Sequence, residues 1–224
     1  MNKLLTLLLS ILLIYPLFSQ EKNISLEDLY VNYTFYPKYI KGFNSMNDGE
    51  HYTTIEKTGN KQSIIKYKFQ NGKKIKQLFN SKEFDIPIIT NYKFSNDEKQ
   101  ILLKTETEKI YRYSSKSIYY IYDIITDKLE KLTSNKVMYA TFSPNGKQVA
   151  YIFNNNLYIK NLSNQTTTQV TNDGKKNYII NGASDWVYEE EFKLIRAFEW
   201  SPDGKSIAYY KFNEDNVKEF SMDL

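Results

Sequence analysis

The chain has 224 residues, no cysteine, one histidine and a formal net charge of +4 at pH 7. Disulfides, thiolate metal sites and a cysteine nucleophile are therefore excluded. Acidic and basic residues are interspersed along the chain, so no basic stripe indicates nucleic acid binding. We expect neither a metal nor a cofactor, and the 20 Tyr and 13 Phe favour strands over helices.

The N-terminus has the layout of a secretory signal peptide. Lys3 supplies a positive charge, an apolar run extends from Leu4 to Leu17, and Ser19 is a small residue near its end. We predict a signal peptide over residues 1–20, cleaved after Ser19 or Gln20, and export to the periplasm or the cell exterior. The alternative is an uncleaved anchor, the one case in which the chain would meet a membrane, but a spanning helix needs about 20 apolar residues.

Helix signals are sparse beyond this segment. Ser25-Leu26-Glu27-Asp28 forms a capping box and predicts a short helix over residues 25–30. A second short helical turn is predicted around residues 188–191.

A repeated motif occupies most of the remaining chain. The segment from Phe142 to Tyr151 matches that from Trp200 to Tyr209 at nearly every position, with Ser-Pro-Asn/Asp-Gly as a turn between two strands. Degenerate copies start at Phe94 and Phe43, so the copies lie 51, 48 and 58 residues apart. Repeats of roughly 40–50 residues with short strands are typical of β-propeller blades.

The repeats predict an all-β fold, a β-propeller of about four blades, over residues 21–224. Four blades rarely close a ring, and the chain stops soon after a strand with no sign of a closing strand. We therefore expect a truncated piece of a longer propeller.

One octet carries the strongest functional signal: Asp185-Trp186-Val187-Tyr188-Glu189-Glu190-Glu191-Phe192. It places three carboxylates directly behind an aromatic and aliphatic anchor. An ammonium group has three donors and no acceptor, so two carboxylates held out of bulk water would bind it through charge-assisted hydrogen bonds. The alternative is an ordinary solvated acidic run.

The octet closely resembles the Glu-Glu motif of the dipeptidyl peptidase IV family of serine peptidases. Tyr111-Arg112-Tyr113-Ser114 before it, and Trp200-Ser201-Pro202 and Phe212-Asn213 after it, match the family in the same order. From about Phe43 onward the chain looks like the family's N-terminal propeller. The resemblance implies an eight-bladed propeller that caps an α/β-hydrolase domain, in an enzyme that releases X-Pro or X-Ala dipeptides from peptide N-termini.

The resemblance also implies site residues. Glu190 and Glu191 would bind the substrate's α-amine, Arg112 would contact a substrate carbonyl, and Glu189 would be a supporting or exposed neighbour. Arg112 could also balance the paired carboxylates before a substrate arrives, since adjacent like charges raise each other's pKa. The alternative for Arg112 is an ordinary surface arginine stacked on a tyrosine.

No catalytic residue is expected within this chain. A G-x-S-x-G elbow is absent. The single histidine, His51, lies too early in the chain to be the last member of a catalytic Ser-Asp-His order. We expect His51 to be an exposed residue of a blade turn. The expected partners are peptides with a free N-terminus and a missing α/β-hydrolase domain of the same protein, with a homodimer of the full-length protein left open. The alternatives are a stand-alone binding or scaffold module, or part of a prolyl tripeptidyl peptidase.

Overall fold

The computed structural model describes residues 23–37 and 39–219, so the predicted signal peptide at 1–20 lies outside it. The chain divides into a small N-terminal unit that ends at Tyr39 and a main unit that begins at Ile40. The N-terminal unit contains helix α1 (Leu26–Tyr30). Its predicted capping box is confirmed, because the Asp28 amide donates to Ser25 Oγ at 3.0 Å and the Ser25 amide donates to the Asp28 carboxylate at 3.3 Å. None of the helices within the described ranges is long and apolar enough to cross a membrane.

The main unit contains three four-stranded antiparallel sheets, each built from strands that follow one another in the chain. The first sheet consists of β1 (Asn44–Ser45), β2 (His51–Thr58), β3 (Lys61–Lys68) and β4 (Lys74–Asn80). The second consists of β5 (Ile89–Phe94), β6 (Gln100–Lys109), β7 (Ser115–Asp123) and β8 (Lys128–Lys131). The third consists of β9 (Met138–Phe142), β10 (Gln148–Phe153), β11 (Asn156–Asn161) and β12 (Thr167–Gln169).

The fourth repeat forms two antiparallel pairs. In these, β13 pairs with β16 and β14 pairs with β15. Their bounds are β13 (Ile179–Asn181), β14 (Phe198–Trp200), β15 (Ile207–Tyr209) and β16 (Lys211–Asn213). Helix α2 (Trp186–Phe192) lies between β13 and β14 in the chain and confirms the predicted second helical turn. The four sequence repeats therefore correspond to three complete blades and a fourth unit of paired strands.

Strands β6 and β10, the second strands of the second and third sheets, are apolar on both faces because a neighbouring sheet or repeat covers each face. In β6, Ile101 and Leu103 pack with residues of the first sheet, whereas Leu102 between them packs with the third sheet. In β10, Val149 packs toward the second sheet and Ile152 toward the fourth repeat. A strand buried on two faces requires a continuous apolar run in place of strict alternation. This explains the Val-Ala-Tyr-Ile sequence that follows the turn at residues 143–147.

Three of the four repeat turns, those that begin at Ser95, Ser143 and Ser201, are closed by the same side-chain hydrogen bonds. Ser143 Oγ accepts from the Gln148 amide at 3.0 Å and donates to Asn145 Oδ1 at 2.8 Å. Gly146 follows with a φ of +69°, in the left-handed region that glycine adopts without strain. The turn at residues 201–206 repeats this arrangement. These contacts confirm the predicted turns.

The degenerate turn at residues 95–100 replaces glycine with Glu98, whose φ is +56°. Its carboxylate accepts from the Asn47 amide at 2.6 Å, and Asn47 Nδ2 donates to the Asn96 carbonyl at 2.8 Å. Neighbouring turns therefore touch one another. The same closeness recurs at Gly204, where an added Cβ would lie 3.0 Å from Asn145 Nδ2.

Gly182 sets the path of the chain from β13 toward α2. Its φ is +74°, its amide donates to the Tyr210 carbonyl at 2.9 Å, and its carbonyl accepts from the Ala197 amide at 3.0 Å. An added Cβ would lie 2.7 Å from Ile152 Cδ1, which belongs to the buried core. Both the backbone conformation and the available space therefore require glycine here.

We predict that Gly182→Ala destabilises the protein more than Gly72→Ala does. Gly72 has a φ of +65° with open space around it, so both variants incur a left-handed backbone cost of about 1–2 kcal/mol. Only Gly182→Ala adds a steric cost of about 1–3 kcal/mol in the core. Urea denaturation monitored by tryptophan fluorescence measures both values, and equal losses would contradict the assigned packing.

Candidate functional site

Helix α2 holds the Glu triplet and is stabilised at both ends. At its start, Asp185 Oδ1 accepts from the Tyr188 amide at 2.7 Å. At its end, Lys193 adopts a left-handed conformation with a φ of +56° and donates its amide to the Tyr188 carbonyl. Such caps satisfy backbone groups that a helix of seven residues would otherwise leave unpaired. The sequence thus specifies a short, regular helix.

Glu189 is the buried member of the triplet. Only 1% of its surface is exposed. Its Oε1 accepts from the backbone amides of Tyr113 at 2.7 Å and Ser114 at 2.8 Å. These amides belong to the connection between β6 and β7, so the carboxylate joins α2 to a segment about 75 residues earlier in the chain. Hydrogen bonds from two amides offset the cost of burying the charge.

Beside the buried contact of Glu189, Glu190 forms an ion pair with Arg112. Arg112 Nε lies 3.2 Å from Glu190 Oε2, with the guanidinium side chain 69% exposed and the carboxylate side chain 15% exposed. An exposed partner makes the ion pair weak as a source of stability. Its importance is positional, because it brings together two residues, far apart in the chain, that the family resemblance selected.

Glu191 faces solvent. Its side chain makes no hydrogen bond or ion pair with another described residue. Successive residues of a regular helix point about 100° apart, so three adjacent carboxylates take three directions. The triplet therefore has one inward carboxylate, one half-buried carboxylate paired with Arg112, and one free carboxylate. Of the two expectations for Glu189, an exposed neighbour is wrong because the residue is buried, and a supporting role stays a prediction.

The expected aromatic and aliphatic anchor of the octet is wrong for its first two members. Trp186 is 55% exposed and Val187 is 48% exposed. The Tyr188 ring does pack, with its centroid 4.9 Å from that of Phe212. Glu189 is the main anchor, and no local signal in the sequence reveals it, because a glutamate is rarely fully buried without partners.

A cavity of about 270 Å³ lies beside α2. Its charged lining residues are Asp185, Glu189 and Glu214, together with Lys176. Burial raises the pKa of Tyr139, and the negative charge of Glu189 raises it further. Burial, and then Asp185, raise the pKa of Glu214. Three of the four charged residues that line this cavity are therefore acidic.

His51 begins β2 next to the first repeat turn, as expected, but its side chain is only 19% exposed. Its Nδ1 lies 2.7 Å from Asp48 Oδ2, and this contact draws the ring against the turn. Within residues 23–37 and 39–219, no group of three His, Asp or Glu side chains could hold a metal ion.

Known proteins resemble both the sequence and the fold. The family model described as "Dipeptidyl peptidase IV (DPP IV) N-terminal region" matches residues 95–223. Prolyl endopeptidase FAP of Homo sapiens is 31% identical over 187 residues, which are 82% of this chain and 23% of that protein. Dipeptidyl peptidase 4 of Sus scrofa is 37% identical over 159 residues, which are 69% of this chain and 21% of that protein. The chain thus spans about a quarter of the length of these relatives.

Among solved structures, Porphyromonas gingivalis dipeptidyl peptidase 4 superposes with a TM-score of 0.80 at 37% identity, over 89% of this chain and 29% of that one. The tricorn protease superposes with a TM-score of 0.50 at 13% identity, over 77% of this chain and 15% of that one, and supports the fold alone. The fold is that of β-propeller blades. By its matched motifs, family model and fold, the chain belongs to the dipeptidyl peptidase IV family, as part of the N-terminal region.

Proposed function

We propose that this chain is the substrate-gating propeller part of an exported serine-type dipeptidyl peptidase. Glu190 and Glu191 bind the α-amine of a peptide substrate, and Arg112 contacts a substrate carbonyl. The observation that carries the proposal is the ion pair between Arg112 and Glu190, with Glu191 free beside it. Hydrolysis itself belongs to an α/β-hydrolase domain beyond this chain, which acts on peptides with a free N-terminus.

The two carboxylates have complementary properties for holding an ammonium group. Glu190 is half-buried, so that its bonds to a cation are less weakened by water than those of an exposed group. Glu191 is exposed and is available to a new donor without breaking an existing contact. An ammonium has three donors, which two carboxylates and one further acceptor satisfy. An acetylated N-terminus has neither the charge nor these donors.

Arg112 has two functions in this proposal. Before substrate arrives, its guanidinium balances the charge of Glu190 at 3.2 Å. Once the ammonium binds, its positive charge also compensates Glu190. The exposed guanidinium is then available to donate a hydrogen bond to a peptide carbonyl. Fixing the amine and a carbonyl together defines the position of the scissile bond by its distance from the N-terminus.

Glu189 is a positioning residue for this site. It holds the backbone of Tyr113 and Ser114, which immediately follow Arg112. Its carboxylate needs no contact with substrate to affect binding, because it controls where Arg112 lies relative to Glu190. The proposed site therefore depends on all three members of the triplet.

We predict that Glu190→Gln and Glu191→Gln in the full-length protein each lower kcat/KM for an X-Pro substrate with a free amine. Each loses a charge-assisted hydrogen bond, equivalent to about 10–100-fold in kcat/KM. Arg112→Ala is expected to lower it in the same direction. Steady-state hydrolysis of a chromogenic X-Pro substrate measures these values.

The matched control for these variants is Glu50→Gln, since Glu50 is an exposed carboxylate in the first repeat turn. It should retain the parent kcat/KM. Unchanged kcat/KM in Glu190→Gln or Glu191→Gln would remove that residue from the amine site. A free-amine X-Y-Pro tripeptide substrate preferred over X-Pro would assign the protein to tripeptide release.

We predict a different result for Glu189→Ala, which should destabilise the fold by about 2–4 kcal/mol because two backbone amides lose their acceptor and a void forms. Glu189→Gln keeps an acceptor oxygen and should recover most of that loss. Glu191→Ala, at an exposed position, should stay within about 0.5 kcal/mol of the parent. Urea denaturation measures the free energy of unfolding of all three variants. Equal losses in Glu189→Ala and Glu191→Ala would contradict the buried contact between Glu189 and the two backbone amides.

A further inference from the structure

A second cavity, of about 390 Å³, lies between strands of the second and third sheets and the segment before β14. Its lining includes Lys93 from β5, Lys104 from β6 and Arg196. None of the described residues that line it is acidic. Three cations around one small cavity, without a carboxylate in its lining, make the cavity positively charged. This differs from the acidic surroundings of α2.

The arginine of this cavity is held in place by other contacts. Arg196 Nε donates to the Phe198 carbonyl at 3.1 Å, and its Nη1 donates to Thr141 Oγ1 at 3.1 Å. Its Nη2 pairs with Glu199, which does not line the cavity. The guanidinium is thus oriented by the fold, and part of its charge is balanced from outside the cavity.

The two lysines lack such balance. Lys104 Nζ donates to Ser115 Oγ at 2.8 Å, which leaves its charge uncompensated. Lys93 has no carboxylate within ion-pair distance among residues 23–37 and 39–219. Desolvation, and then Arg196, lower the pKa of Lys93. Desolvation, followed by Lys109 and Lys93, lowers the pKa of Lys104. A bound anion would reduce the repulsion and offset the cost of desolvating the two ammonium groups.

The rest of the lining fits a peptide better than a small inorganic anion. Tyr113, Tyr119 and Tyr139 provide aromatic walls, and Asn91 and Thr141 provide neutral polar groups. The volume is near the lower end of the roughly 300–1,000 Å³ typical of ligand sites, which suits one or two side chains. Aromatic walls with a few polar groups are typical of such sites.

Tyr113 connects the cavity to the amine site in the sequence. It lines the cavity and donates its backbone amide to Glu189. It directly follows Arg112, which pairs with Glu190. Consecutive residues thus belong to the amine site and to the cavity, so a single peptide can contact both.

We infer that this cavity binds the carboxylate side chain of an acidic residue in the peptide, with Lys93 and Lys104 as its cationic ligands and Arg196 as an oriented neighbour. This inference rests on the proposed function, since it assigns a preference to the same peptide. It adds a specificity site for acidic peptides to the amine site.

The test uses the full chain and four peptides with C-terminal amides. Two have the sequence Ala-Pro-Asp-Glu, with a free or an acetylated N-terminus. Two have Ala-Pro-Asn-Gln, again with a free or an acetylated N-terminus. Isothermal titration calorimetry should give at least about tenfold tighter binding of the free acidic peptide than of its amide counterpart, as expected for a gained charge-assisted hydrogen bond.

Charge-matched variants identify the site. Lys93→Gln combined with Lys104→Gln should abolish the preference for the acidic peptide while the amide peptide binds as before. Lys57→Gln combined with Lys61→Gln removes the same charge at exposed positions of the first sheet and should keep the preference. Equal affinities for the two free peptides, or a preference that survives in the Lys93/Lys104 variant, would overturn the inference.

The acetylated peptides separate this inference from the proposed function. Weaker binding after acetylation, with no preference for acid, would support the amine site and reject the acidic-peptide site. A preference for acid that is lost in the Lys93/Lys104 variant, with no effect of acetylation, would support the cavity and reject the amine site. The urea denaturation midpoints of both double variants should equal that of the parent.

Discussion

A carboxylate that is almost completely buried has to find hydrogen-bond donors within the protein, and Glu189 finds them on the backbone of another repeat. The amides of Tyr113 and Ser114 converge on a single oxygen at 2.7 and 2.8 Å. A side-chain partner has rotamers to choose from, whereas backbone amides are fixed by the strands on either side. The orientation of α2 and the position of Arg112 therefore follow from one buried charge.

The contact between Glu189 and the amides of Tyr113 and Ser114 connects two segments that the fold holds rigidly. The connection that carries Arg112 leaves β6, whose faces pack against both neighbouring sheets, and enters β7. Helix α2 precedes Ala197 and Phe198, and Phe198 packs in the core shared by the third sheet and the fourth repeat. Two loops from different repeats thus meet over a platform of close-packed sheets. Close packing resists small displacements, so the residues of the site are held in fixed positions.

The features that could be predicted from the sequence are those with a local cause. The repeat turns follow from Ser, Asn or Asp, and Gly at fixed positions, and the caps of α2 follow from Asp185 and the residues around it. The family motif also singled out Arg112 and Glu190, which the structure brings to 3.2 Å. In each case the signal lies within a few residues of the feature, or within a motif that the resemblance supplies.

Features that depend on residues far apart in the chain could not be predicted from the sequence. Glu189 is buried because of amides about 75 residues away, so its sequence neighbours suggest an exposed acidic run. Exposure of Trp186 likewise depends on what the rest of the fold leaves uncovered. The cationic cavity brings Lys93 and Lys104, on adjacent strands of the second sheet, together with Arg196 from the segment before β14, and no spacing rule connects Arg196 with the two lysines.

The position of α2 within the repeat pattern has an evolutionary consequence. The interval between Phe142 and Trp200 is the longest of the three, at 58 residues, and α2 lies within it rather than within a sheet. A helix carried on a connection between strands can gain, lose or exchange residues while the strand register on either side is kept. Propellers of this kind can therefore acquire new ligand preferences by changing one connecting segment, while the blades that fold the protein remain as they are.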